Sequence, residues 1–170
     1  MSKVVLQLGD DVSTDLIYPG RFMATVLPAE TPRFAFADLP AFHARLMAGE
    51  VPRGGVIVAG RNFGCGSSRE QAVSCLAGHG LVVVARGFAR IFLHNAVNLG
   101  LVVVVAPGIE AAEDDDLELT SDEVVDKTTG ERFPVVALPP ARRAIVEAGG
   151  LVAYTRRRIA GSPASKEVSP

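Results

Sequence analysis

The sequence predicts an α/β fold with a buried, mostly parallel sheet flanked by helices. Two observations carry this. Three apolar runs, GVIVA at 55–59, LVVVA at 81–85 and LVVVVA at 101–106, are short, β-branched and bounded by Gly or Pro. Runs that do not alternate polar with apolar residues read as strands covered on both faces. The two segments between them read as helices, so the order is strand–helix–strand–helix–strand, two consecutive βαβ crossovers.

Each element has a local reason. Residues 3–8 form a first strand, followed by a polar loop through Gly20. Asp38 is placed to cap a helix over 39–48, with Pro40 in its first turn and Leu39, Phe42, Leu46 and Met47 on one face. The helix at 68–77 carries Ala72, Val73 and Leu76 on one side and stops at Gly78 and Gly80. The helix at 88–98 carries Phe88, Ile91 and Phe92 at helical spacing and stops at Gly100. After the acidic stretch 113–116, residues 117–120 and 132–136 read as short strands joined through a turn at 129–130. Residues 139–149 read as a last helix, with Pro at its start and Gly at its end. A final short strand is expected at 151–155. With no repeat and no linker, 1–160 read as a single domain and 161–170, small and polar, as a disordered tail.

Composition narrows the function. The chain has 170 residues, a formal net charge of −2 and 48% hydrophobic residues, enough to fill a core. No apolar run approaches the roughly 20 residues that span a bilayer. The start, MSKVVLQLGDD, lacks the apolar core of a signal peptide, which predicts a cytoplasmic protein. No basic block is denser than 156–158 and Trp is absent, so nucleic-acid binding has neither an electrostatic footprint nor stacking platforms. The two cysteines, Cys65 and Cys75, neither build a disulfide framework nor ligate an iron–sulfur cluster by themselves.

The most unusual segment is GRNFGCGSSRE at 60–70, between a buried strand and a helix. Gly64, Gly66 and the intervening Cys65 let backbone approach a ligand, and the following helix N-terminus favours an anion. Arg69 adds a planar fork suited to a carboxylate or phosphate. No Lys precedes Ser67, which excludes a P-loop. Arg69 occupies the third glycine position of a dinucleotide fingerprint and the last position of a nucleophile elbow, which excludes both. Ser67-Ser68-Arg69-Glu70 also matches a capping box, in which Ser67 simply caps the helix. A cap and an anion compete for the same N–H groups, and the glycines and Arg69 favour the anion. Asp10, Asp11 and Asp15 lack EF-hand spacing and read as a turn-rich loop. His43, His79 and His94 lack metal-ligand spacing, so no metal site is expected. Cys65 reads as a packing residue in the absence of a partnered histidine.

Taken together, these segments resemble the small subunit of the aconitase-type hydro-lyases. GRNFGCGSSRE at 60–70 is similar to the signature of 3-isopropylmalate dehydratase small subunits. DVSTD at 11–15, continuing to Pro19-Gly20-Arg21, resembles that family's N-terminal substrate loop. FARIFLHN at 88–95 with Gly100-Leu101 resembles a third family stretch, and the likeness runs in order from Lys3 to Tyr154. The resemblance implies a swivelling β/β/α domain and a separate large subunit that carries a [4Fe–4S] cluster, with no cofactor on this chain. It implies reversible elimination and addition of water on a hydroxy di- or tricarboxylate.

By position, Ser67 matches the family's base. Ser68 and Arg69 would clamp a substrate carboxylate, while Thr14 and Asp15 would orient groups around the site. Arg21 and the run Phe22-Met23-Ala24-Thr25 fall in the specificity loop. Ala24 stands where homoaconitase-like members carry an arginine, and an apolar pocket leaves a third carboxylate costly to desolvate. This favours an alkyl-bearing substrate, isopropylmalate in leucine biosynthesis, with Arg21 close enough to limit the inference. Homoaconitase and dehydratases of related alkylmalates such as dimethylmalate stay open as alternatives, as does a non-catalytic carboxylate-binding module. Gln71 replaces a histidine frequent in relatives and is expected to play a supporting role. The high hydrophobic content is expected to cover a partner surface as well as a core.

Overall fold

Four strands, β1 (Ser2–Gln7), β2 (Val56–Ala59), β3 (Val82–Ala85) and β4 (Val102–Val105), lie side by side and run parallel in a computed structural model that describes residues 1–160. Val56, Val82 and Val102 stand in register across β2, β3 and β4. Successive side chains go to opposite faces. Ile57, Ala59, Val83 and Ala85 enter one core and Val56, Val58 and Val84 the other. Both faces of β2 and β3 are dry, which is why these two strands read as unbroken apolar runs, while Val102 of the outer strand β4 is exposed.

The two faces have different covers. On one lie α2 (Pro40–Met47), α3 (Glu70–His79) and α4 (Arg90–Leu99), which contribute Phe42, Leu46, Val73, Leu76, Phe92 and Ala96. On the other lie β5 (Asp116–Leu119), β6 (Glu123–Asp126) and β7 (Arg132–Pro134), whose Leu117, Val124 and Phe133 pack with Ile109 against Val56, Val58 and Val84. The layers are therefore β, β and α. Hydrogen bonding is nevertheless continuous, in the order β4-β3-β2-β1-β5-β6-β7. Strand β1 makes the turn between layers: Ser2 and Lys3 pair antiparallel with β5, while Val4, Leu6 and Gln7 pair parallel with β2 across a register shift. Val136, just past β7, donates its N–H to Val105 of β4 at 2.8 Å, closing the antiparallel layer over the far edge.

The last elements are α5 (Pro140–Glu147) and α6 (Leu151–Ala160). Gly100, which ends α4 at φ +73°, lies against the turn between them; a Cβ there would sit 2.5 Å from the Gly149 carbonyl carbon. Only bare backbone permits that approach.

Several expectations are corrected. Residues 151–155 are helix, not strand: Val136 already occupies the free edge of β4, so no edge at that end awaits a further strand. Strand β6 lies between the two short strands predicted, and its two buried apolar residues, Val124 and Val125, gave too brief a pattern to read. A short helix, α1 (Thr14–Ile17), interrupts the supposed loop, capped by Ser13. Asp38 does not cap α2: Leu39 occupies that position without a side-chain bond, and Asp38 pairs with Arg21. Met47 is 44% exposed rather than inward. Helix α3 begins at Glu70, so no capping box forms. The predicted disordered tail, 161–170, lies outside the described residues. Among those described, no helix is long and apolar enough to cross a membrane.

Candidate active site

The site forms where β1 and β2 run out at their carboxyl ends, the ends at which open α/β sheets bind ligands. Their pairing continues past the strands as a ladder between two loops. Gly60 N donates to Gly9 O at 3.0 Å, Asp11 N to Arg61 O at 2.8 Å, Gly64 N to Val12 O at 2.7 Å and Thr14 N to Cys65 O at 2.8 Å. Residues some fifty positions apart in the chain are thus held in register before any side chain contributes. The loop also leans on α4. Gly64 has φ +80°, and a Cβ there would fall 2.2 Å from Cγ of Phe92, so its backbone rests directly on that buried ring. Phe92 is packed in turn against Phe63 and Phe88.

At the end of the ladder, Thr14 meets Ser67. Thr14 is 1% exposed, and its Oγ1 accepts from Ser67 N at 3.0 Å and lies 3.2 Å from Ser67 Oγ. Because Oγ1 already accepts one hydrogen, its own hydrogen is available to Ser67 Oγ. The Arg69 N–H also points at Ser67 Oγ, at 3.4 Å. The Arg69 N–H and a hydroxyl able to donate therefore both face one hydroxyl oxygen. Ser67 faces Thr14 rather than the helix N-terminus, and the Ser68 side chain is exposed while its carbonyl accepts from Asn95 Nδ2 at 3.2 Å. Helix α3 starts with no side-chain cap, leaving its first N–H groups free for another acceptor.

Arg69 crosses to the other loop. Its Nη1 donates to Asp15 Oδ1 and, at 3.3 Å, to Tyr18 O. Its Nε is buried and has no hydrogen-bond partner among the described residues, an arrangement that costs about 1–3 kcal/mol. The guanidinium holds the Asp15 carboxyl below its usual range, chiefly through the hydrogen bond; burial opposes this, and the Arg69 charge and a bond from the Gly20 backbone add to the lowering.

The remaining candidates form a neighbouring cluster. Arg21 makes a two-bond pair with Asp38, at 2.6 and 3.1 Å, and its guanidinium lies 4.6 Å from the Phe22 ring centre. Phe22 stacks on Phe34 at 4.3 Å. The hydroxyl of Tyr18 donates to Phe22 O at 3.1 Å, so Tyr18 ties this cluster to Arg69 through its own carbonyl. Met23 and Ala24 are exposed, and Thr25 is half-buried with its N–H on Phe22 O. Together with Val26 and Leu27, 68% and 58% exposed, Met23 leaves an apolar rim beside the site. Gln71 lines a shallow groove with Val26, Pro28 and Ser74.

Sequence reasoning missed Tyr18 and read Asp38 only as a helix cap, since neither belongs to a recognisable site pattern. Asn95 was present only as part of the third resembling stretch. Asp10 accepts from Arg61 N and Asp11 from Asn62 Nδ2, each at 2.7 Å, so these carboxylates serve the loop as separate locks. His43 and His79 each bond a backbone carbonyl through one ring nitrogen. An iron–sulfur cluster does not fit this chain's residues. Cys75 is fully buried, with burial pushing its thiol pKa far up, Cys65 Sγ donates to Asp11 O at 3.3 Å, and no trio of metal-binding side chains gathers among the described residues.

A β/β/α domain with this glycine–serine–arginine loop at its strand ends is of the aconitase type, and residues 49–108 match the family described as the aconitase C-terminal domain. The 3-isopropylmalate dehydratase small subunit of Moorella thermoacetica is 41% identical over 157 residues, 89% of this chain and 92% of its own length. The isopropylmalate/citramalate isomerase small subunit of Methanocaldococcus jannaschii is 40% identical over 93% of this chain and 95% of its own. A crystal structure of a 3-isopropylmalate dehydratase from the same organism superposes with a TM-score of 0.83 at 38% identity, covering 93% of this chain and 94% of that one. The chain belongs to the 3-isopropylmalate dehydratase small-subunit family.

Proposed function

We propose that this chain is the small subunit of a cytoplasmic two-subunit hydro-lyase. The enzyme would interconvert 2-isopropylmalate and 3-isopropylmalate by dehydration and rehydration, a step of leucine biosynthesis. The observation that carries the reading is the convergence of Thr14 Oγ1 and the Arg69 N–H on Ser67 Oγ, beside an arginine with an unsatisfied donor.

Ser67 is the base. As the alkoxide, its oxygen takes the proton from the carbon next to the hydroxyl-bearing one, the C–H electron pair becomes the double bond, and the hydroxyl leaves with the C–O electron pair as hydroxide. A serine hydroxyl is far too weakly acidic to ionise unaided. The groups aimed at Oγ and the Arg69 charge lower the cost of the alkoxide. Arg69 and Ser68 hold a substrate carboxylate, which would supply the partner that Nε lacks. Thr14 and Asp15 fix Ser67 and Arg69, and the 22–25 run receives the alkyl group. A smaller alkylmalate, such as the citramalate named for the Methanocaldococcus jannaschii relative, fits the same exposed apolar run.

The [4Fe–4S] cluster that this reading assigns to the large subunit supplies the Lewis acid for the leaving hydroxyl. The rim of Met23, Val26 and Leu27 is the surface that the large subunit would cover. The test is reconstitution. The purified chain should be colourless and inactive, and activity should appear only with the cluster-loaded large subunit. Ser67→Ala should abolish it while co-purification persists. Turnover by the isolated chain would overturn the proposal, and tight carboxylate binding by the chain alone would support a binding module instead.

A further inference from the structure

The anion site has a second guanidinium within reach that it does not use. Gly20 lies against the Arg69–Asp15 pair: a Cβ built on it would be 3.3 Å from Asp15 Oδ1 and 3.5 Å from Arg69 Nη2. Arg21 is the next residue, so its Cα is about 3.8 Å from that of Gly20. An arginine side chain rooted there spans the distance to a ligand on Arg69. Instead it points to Asp38, in a two-bond pair at 2.6 and 3.1 Å, and covers the Phe22 ring at 4.6 Å. Phe22 is stacked on Phe34 and its carbonyl is held by Tyr18, so the platform under Arg21 is itself fixed. The carboxylate takes an edge of the guanidinium and the ring a face, the two kinds of surface by which it recognises partners.

We infer that Asp38 sets the charge preference of the site: by holding Arg21 on Phe22 it keeps a second guanidinium from ligands bound at Arg69, so that an uncharged substituent is accepted there and a further carboxylate is not. This rests on the proposed function and deepens it, since it names what separates an alkylmalate from a tricarboxylate. Asp38 is a positioning residue that acts through Arg21. The pair is half-exposed, with side-chain exposures of 54% and 47%, and exposed pairs of this kind bias an equilibrium by up to about fivefold. Losing it therefore frees Arg21 for part of the population without unfolding the loop, which Phe34 and Tyr18 still hold.

The experiment uses the reconstituted two-subunit enzyme and measures kcat/KM for isopropylmalate and for aconitate. In Asp38→Asn the aconitate-to-isopropylmalate ratio should rise by about fivefold, the rise should shrink in high salt, and Asp38→Glu should keep the wild-type ratio. The double variant Arg21→Gln with Asp38→Asn should lose the rise. A ratio unmoved in Asp38→Asn, or a rise that survives in the double variant, overturns the inference while leaving the function intact. A wild-type enzyme inert towards isopropylmalate overturns the function, and the inference with it. A merely structural role for Asp38 would lower both substrates together and leave the ratio unchanged.

Discussion

Replacing Thr14 by valine tests the core of the site with almost no change of shape. The threonine is 1% exposed, and its hydroxyl is the group that accepts from Ser67 N at 3.0 Å and meets Ser67 Oγ at 3.2 Å. Valine puts a methyl group there. The Ser67 N–H then has no acceptor, which costs about 1–3 kcal/mol when the donor stays out of water. For a domain of this size each kcal/mol moves the melting temperature by about 2–4 °C, so Tm should fall by about 2–12 °C. Activity should fall further than stability. On the proposed function the variant removes a hydroxyl that would donate to an oxygen carrying negative charge, and loss of one such donor costs about 10²–10³ in kcat. Thr14→Ser keeps the hydroxyl and should stay within about tenfold of wild type. The assay is kcat of the reconstituted enzyme at saturating isopropylmalate, beside a thermal melt of the chain alone. A Thr14→Val enzyme with kcat within a factor of about three of wild type would refute the role given to Thr14.

Other measurements bear on the framework. Gly64→Ala combines a left-handed backbone with overlap against Phe92, together about 2–5 kcal/mol, so Tm should drop by at least about 4 °C; a melt within about 2 °C of wild type would contradict the packing described. Asp15 titrates below its ordinary value of 3.8, so its pairing with Arg69 stabilises the fold fully above that value and the effect is lost as pH falls through the lowered one. The stability gap between wild type and Asp15→Asn, read from urea midpoints, should be constant above about pH 5 and close below it. A gap that widens on acidification would show that the pair is not what holds Asp15.

Some of this was legible in the chain and some was not. The runs of β2 and β3 could be read because both faces of those strands are dry, a property each strand carries in its own residues. Strand β6 and helix α6 could not. Val124 and Val125 are a two-residue signal, and residues 151–155 suit a strand equally well until the edge of β4 is found occupied by Val136. The glycine loop announced itself because Gly64 and Gly66 are needed for backbone geometry that few other residues adopt. Asp38 misled for the opposite reason: an aspartate before Pro40 looks like a helix cap, and only the folded chain brings Arg21 to it.

The sequence by itself determined the fold class, the family likeness and the location of the glycine loop, because apolar patterning and glycine geometry are local properties. Tertiary structure alone decided which groups act together. The ladder continuing β1 and β2 brings Thr14 to Ser67 and Asp15 to Arg69, and the fold of 20–38 turns Arg21 away from them. Spacing along the chain carries no information about such pairs, since a hydrogen bond depends on a few tenths of an ångström between atoms some fifty residues apart.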